Sequence, residues 1–182
     1  MKKIISILGS TGSIGKTSLK VFSKEQFKYK FNILSANSNY KEITYQIKKY
    51  KPKYFIISNE KTFIKVKKKI KKTKTILQKN YKKVISAKYK NDITIAAIPG
   101  LAGLEPTIEL VKNSKKILIA NKESIICGWN IIKTLAKKNK TTIIPIDSEH
   151  FSINKILKNY NDSDVEKIYI TASGGPFLNT SI

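Results

Sequence analysis

The chain of 182 residues contains no arginine: its 36 basic residues are all lysine, set against 12 acidic ones for a formal net charge of +24. A protein selected to read bases should use Arg, whose planar fork grips guanine and phosphate with two bonds at once. Lys, Ile and Asn are the residues of A/T-rich codons and all are plentiful, so the charge reads as compositional, and no specific nucleic-acid partner is expected. Cysteine occurs once, at Cys127, which excludes an internal disulfide and fits a reducing cytosol. No apolar stretch reaches the roughly 18 residues of a membrane span. Met1-Lys2-Lys3 followed by Ile4-Ile5-Ser6-Ile7-Leu8 opens like a signal peptide, but Gly9-Ser10-Thr11-Gly12 breaks the apolar run at once. The expectation is a soluble, cytoplasmic protein with no membrane partner. Repeats and flexible linkers are missing too.

What is present is an alternation of strands and helices. Lys3 to Leu8 reads as a buried parallel strand, and Gly15 to Lys24 as a helix with Leu19, Val21 and Phe22 on its period. Phe31 to Ala36 is a second strand, a helix runs through Ile43 and Ile47, and Tyr54 to Ile57 is a third strand. Between Lys61 and Lys90, the Lys-richest part, Phe63, Ile64, Val66 and Ile70 mark a helix with a solvated charged face; a polyanion-binding patch is the other reading. Strands over Ile93–Ile98 and Ile117–Ala120 flank a helix over Leu104–Val111, and a last strand spans Thr142–Ile146. The pattern predicts an α/β fold, a Rossmann-like doubly wound parallel sheet over residues 1–146. Residues 147–182 would begin an α+β catalytic domain.

Three places carry chemistry. Gly9-Ser10-Thr11-Gly12-Ser13-Ile14-Gly15 lies between the first strand and first helix, where glycines permit a tight turn and let backbone N–H groups approach a pyrophosphate. The spacing is G-x-x-G-x-x-G rather than G-x-G-x-x-G, and a plain glycine turn is the alternative. The second strand ends in Asn37-Ser38-Asn39-Tyr40-Lys41, without the Asp or Glu that holds the ribose 2′-hydroxyl of NAD, so NADP is favoured. Asp147 and Glu149 follow a strand end, and alternation along an extended segment would turn both carboxylates to one side, toward a hard cation such as Mg²⁺ or Mn²⁺. They are equally readable as surface acids. His150, the sole histidine, is taken as a hydrogen-bonded structural neighbour.

Two weaker turns complete the set. Ile168 to Ala172 is predicted as a strand leading into Ser173-Gly174-Gly175-Pro176-Phe177, a turn that could present a hydroxyl and N–H groups to an oxyanion. Lys122, in Asn121-Lys122-Glu123-Ser124, could meet an anionic substrate or simply pair with Glu123 in solvent. Cys127 reads as core, which counts against a nucleophilic thiol of the semialdehyde-dehydrogenase kind.

In this order, the glycine turn, Pro99-Gly100-Leu101-Ala102-Gly103-Leu104, Ala120-Asn121-Lys122-Glu123-Ser124, Pro145-Ile146-Asp147-Ser148-Glu149-His150 and Ser173-Gly174-Gly175-Pro176-Phe177 resemble the 1-deoxy-D-xylulose 5-phosphate reductoisomerase family of non-mevalonate isoprenoid biosynthesis. The resemblance implies that Thr11, Gly12, Ser13 and Ile14 hold the NADPH phosphates, with Asn39 near the 2′-phosphate and Asn121 and Glu123 against the cofactor. It also implies that Lys122, Ser148 and Ser173 bind a phosphorylated sugar substrate, and that Asp147 and Glu149 ligate Mn²⁺ or Mg²⁺. Ser38 stands where the family often has Lys, and Leu178 where it usually has Arg. The family's third metal-binding Glu, its substrate-binding His and its C-terminal helical domain have no counterpart before Ile182, so the reading is of a fragment or a truncated gene. Full-length members are expected to be homodimers. A non-catalytic NADP-binding remnant is the alternative function.

Overall fold

Stretches rich in β-branched residues, such as the isoleucines of Ile4-Ile5-Ser6-Ile7 and the run Ile93-Thr94-Ile95, are stiff at χ1 and favour the pleated backbone. A computed structural model, describing residues 1–71, 73–85 and 90–170, turns them into a wholly parallel sheet. Among the described residues the sheet has seven strands, β1 (Lys3–Leu8), β2 (Tyr29–Ala36), β3 (Tyr54–Ile57), β4 (Ile76–Gln78), β5 (Asn91–Ala96), β6 (Ser114–Ile119) and β7 (Thr142–Pro145). Their spatial order is β4-β3-β2-β1-β5-β6-β7. The chain therefore winds outward from the central β1 on one side, returns, and winds outward on the other. The connecting helices are α1 (Ser13–Ser23), α2 (Tyr40–Tyr50), α3 (Glu60–Lys69), α4 (Leu104–Val111) and α5 (Lys122–Asn139), with α6 (Ser148–Leu157) after β7.

Alternation along each strand divides the core in two. Ile5 and Ile7 join Leu19 of α1, Ile43 and Ile47 of α2 and Val66 of α3 on one face. Leu8, Ile56 and Ala96 join Leu110 and Val111 of α4 and Ile132 and Ala136 of α5 on the other. Each fully buried Ile or Leu contributes about 1.5–3 kcal/mol of transfer free energy, so both faces are needed to hold the sheet. The register between β1 and β2 slips, Ile5 facing Phe31 but Ile7 facing Leu34. The extra residue puts Phe31 and Leu34 on the same face, and Ser6 Oγ accepts the Ile33 N–H at 3.2 Å within it.

The doubly wound expectation holds, and its differences are local. The Lys-rich stretch contains α3 and then β4, a strand of three residues that periodicity cannot resolve. Residues 168–170 form no strand, contrary to the prediction over Ile168–Ala172, of which 171 and 172 lie outside the described residues. Residues 147–150 are not an extended segment: Asp147 accepts the His150 N–H at 3.0 Å and starts α6. The side-chain oxygen of Asp satisfies an orphan N–H of the first turn, and that local bond overrides the extended reading. Cys127 lies on α5 as expected but is exposed, not core.

Candidate functional site

Among the described residues, four helices begin on a side chain. Asn39, Asn59, Asn121 and Asp147 each accept a backbone N–H three residues on, opening α2, α3, α5 and α6. Helix α1 begins differently: its N-cap is Gly12, with no side-chain cap, and its first turn carries no acidic residue. The partial positive charge of that helix end is left for a ligand. It emerges from the carboxyl end of β1, between β2 and β5, where the winding reverses direction. Open α/β sheets bind their ligands at that reversal.

The turn is held by close backbone approach. Gly9 has φ +76°, and a Cβ there would lie 2.5 Å from the Ala97 carbonyl oxygen at the end of β5. A Cβ on Gly15 would lie 2.3 Å from Gly9 O and 2.6 Å from Ser10 Cα, so α1 can pack onto the turn only without one. Around this sits a buried polar clamp. The Gly9 N–H donates to Ser35 Oγ at 3.1 Å and the Ser10 N–H to Ser35 O at 2.8 Å. Ser10 Oγ donates to Gln46 Oε1 at 2.6 Å, and Gln46 Nε2 returns a bond to Ser10 O at 2.9 Å. Tyr81 lies beside Ser35, and burial pushes its phenol up to about 12, so it stays a neutral hydroxyl. Ser35, Gln46 and Tyr81 were not legible as site residues, because no local pattern links them to the turn. With the clamp behind it, the turn presents Thr11 half-buried and Gly12, Ser13 and Ile14 exposed, facing outward together.

At the end of β2, Asn37, Ser38 and Asn39 are exposed. The nearest carboxylate in sequence, Glu42, is committed inward. It accepts from Gln46 Nε2 at 3.0 Å and lies 3.7 Å from Lys16 Nζ. Residues 37–42 therefore present no free carboxylate at the end of β2.

Asn121 is 3% exposed, and its amide is used structurally. Its Oδ1 accepts the Ser124 N–H at 2.6 Å, while Nδ2 donates to Ile98 O and, at 2.8 Å, to Gly100 O. It thereby ties α5 to the Pro99–Gly100 turn on the same sheet edge as the glycine turn. Lys122 is exposed and Glu123 half-buried on the first turn of α5. Ser124 Oγ is buried there with no hydrogen-bond partner among the described residues.

Asp147 and Glu149 both sit at the start of α6, but the geometry is not the paired one expected. Glu149 lines a cavity with Ser148, Val165 and residues 167–170, whereas Asp147 lines one between β7, α5 and α6 that includes Trp129 and His150. Burial alone would raise the Asp147 carboxyl; the His150 backbone N–H and the ring Nδ1, 2.6 Å away, hold it below the usual carboxylate range. As oxygen donors the two carboxylates suit part of a hard cation's ligand set. No group of three or more His, Cys, Asp or Glu side chains comes together among the described residues. Ser173 and Leu178 lie outside the described residues.

Comparison with known proteins places this geometry in a lineage. The family model described as 1-deoxy-D-xylulose 5-phosphate reductoisomerase matches residues 5–128, and that of the same enzyme's C-terminal domain matches residues 143–182. The chain is 46% identical over its whole length to the 1-deoxy-D-xylulose 5-phosphate reductoisomerase of Pelagibacter ubique, covering 47% of that protein. Against the enzyme of Wolbachia sp. subsp. Drosophila simulans the identity is 43%, over 100% of this chain and 46% of the relative. The chain thus spans about half the length of the curated relatives it matches. Among solved structures, the Zymomonas mobilis reductoisomerase in complex with NADPH superposes with a TM-score of 0.84 at 30% identity, over 100% of this chain and 48% of that one. A reductoisomerase in complex with NADPH, fosmidomycin and magnesium gives 0.85 at 30% identity, over 98% of this chain and 47% of the other.

Proposed function

The chain belongs to the 1-deoxy-D-xylulose 5-phosphate reductoisomerase family, and from that premise we propose that it binds NADPH at the glycine turn and serves the family's reaction. That reaction isomerises 1-deoxy-D-xylulose 5-phosphate and reduces the product with NADPH to 2-C-methyl-D-erythritol 4-phosphate. The observation carrying the proposal is the uncapped, glycine-led start of α1 where the winding of the sheet reverses. NADPH and magnesium in the complexes of similar enzymes support it.

In this reading Thr11, Gly12, Ser13 and Ile14 hold the pyrophosphate, with their backbone pre-set by the Ser35–Gln46 clamp rather than ordered on binding. Asn39 lies near the 2′-phosphate. Asn121 sets the 98–103 turn and, with Glu123, touches the cofactor, and Lys122, Ser148 and Ser173 hold the substrate. Asp147 and Glu149 would hold Mg²⁺ or Mn²⁺, which, when bound, polarises substrate oxygens as a Lewis acid. The assignment of residues 147–182 to a catalytic domain belongs to the same proposal. One observation favours a second reading, NADP binding without turnover: among the described residues Asp147 and Glu149 line different cavities and no group of three or more potential metal ligands comes together.

Cofactor choice tests the first reading. Titrating NADPH and NADH while following nicotinamide fluorescence should show tighter binding of NADPH, because no free carboxylate meets its 2′-phosphate. Equal or tighter binding of NADH would refute it.

A further inference from the structure

The composition explains how many lysines the chain has, but not where they gather. Lysine is 36 of 182 residues overall. Around one cavity of about 730 Å³ it is seven of the twelve lining residues, and none of the twelve is acidic. The cavity lies at the amino edge of the sheet, opposite the glycine turn. Lys48, Lys51 and Lys53 reach it from the end of α2 and the approach to β3, and Lys69, Lys71 and Lys74 from the end of α3 and the approach to β4. Lys30, near the start of β2, completes the ring. The ion pairs formed among the described residues use other lysines, namely 16, 28, 79, 82, 112, 115 and 167. The ends of α2 and α3 bring about half a negative charge each to this edge, far short of neutralising seven cations. The floor is apolar, formed by Ile47, Pro52 and Ile70.

We propose that this cavity is a second anion site, distinct from the dinucleotide turn, which takes a ligand carrying several contiguous phosphates. Its volume falls in the range of small-ligand pockets, about 300–1,000 Å³, which points to a small oligophosphate rather than a polymer. Lysine suits this role: a compact charge on a flexible stem can follow a phosphate chain, where Arg would demand a fixed fork. Two sources share the chemistry, inorganic oligophosphate and nucleoside triphosphate. The apolar floor offers the latter a surface for its base.

The test is calorimetric titration of the full chain with inorganic tripolyphosphate and with ATP, at about 0.15 M salt, where screening reaches about 8 Å. The wild type is compared with K48Q/K53Q/K74Q in the cavity and with K133Q/K137Q/K138Q on α5, which removes the same charge elsewhere. We expect saturable binding, weakened about tenfold or more by the cavity variant and less than about twofold by the control. Equal affinity for the two ligands assigns the site to phosphates alone, and tighter ATP assigns a role to the floor. Tripolyphosphate should also raise the melting temperature of the wild type but not of the cavity variant. Absent saturation, or equal losses in the two variants, would overturn the proposal, as would binding that the cavity substitutions leave unchanged.

Discussion

Gly15 shows how little room the site leaves. One added carbon would meet Gly9 O at 2.3 Å and Ser10 Cα at 2.6 Å, both backbone atoms that cannot rotate away. Gly15→Ala should cost about 1–3 kcal/mol of stability through overpacking and displace the turn enough to abolish NADPH binding. Thermal unfolding and the fluorescence titration read the two effects separately; binding unchanged in the variant would mean the turn is not the cofactor site. At the far end of β1, Asp92 bridges three strands. It accepts the Ile4 N–H at 2.7 Å and Lys115 Nζ at 2.8 Å. Burial alone would raise its carboxyl, but Lys115 and the Ile4 N–H hold it below the ordinary range. A depressed folded value stabilises the fold above the unfolded value, about pH 3.9, and that contribution fades as pH falls through the folded one. Asp92→Asn should therefore cost on the order of 1 kcal/mol at pH 7, with the gap to wild type narrowing in denaturant melts as pH falls below the unfolded value. The glycine turn was legible because spacing encodes its backbone. Ser35 and Gln46 were not, because their bonds to it span sequence separations that no local pattern records. Cys127 misled for a related reason: a helical apolar context does not say which face of α5 turns inward.

Among the elements, α5 owes its start to one side chain. Asn121 caps the helix and also holds two carbonyls of the preceding turn. Asn121→Ala removes a cap worth about 0.5–2 kcal/mol and strands those carbonyls, so about 2–3 kcal/mol of lost stability is expected. Asn121→Asp keeps the capping oxygen but not the donors, and should fall between the two in chemical denaturation. If Asp proved as damaging as Ala, the cap would contribute nothing. The boundaries of β3 and α4 were readable from hydrophobic period alone, since each has a clean burial pattern. At α6 the start signal is an Asp three residues before the N–H it accepts, and that cap prevails over the alternation of an extended segment. With β4, three residues within a lysine-rich stretch, the deciding information is the pairing with β3 and not its own composition.

At the scale of the molecule, the described residues form a parallel sheet with both faces covered, which leads through β7 into α6 and its two carboxylates. The two clusters supply independent packing on either side of β1, so the glycine turn has a rigid foundation. The carboxylates at α6 stand differently. They supply two oxygen-donor side chains, Asp147 is already engaged with His150, and no third candidate ligand joins them among the described residues. Mg²⁺ tolerates few protein ligands when waters and substrate oxygens complete its shell, so weak metal binding is compatible with this arrangement. Productive chemistry asks for more, because misplacing a substrate by about 1 Å can cost roughly a hundredfold in rate. We therefore expect the 182-residue chain to bind NADPH but to oxidise it negligibly when given 1-deoxy-D-xylulose 5-phosphate and Mn²⁺. A chimera that appends the C-terminal half of a full-length family member should bind NADPH with similar affinity and turn over. The comparison separates the two sites, since cofactor affinity reports the glycine turn and NADPH oxidation reports the metal and substrate groups. Comparable turnover by chain and chimera would show that the catalytic groups lie entirely within these residues.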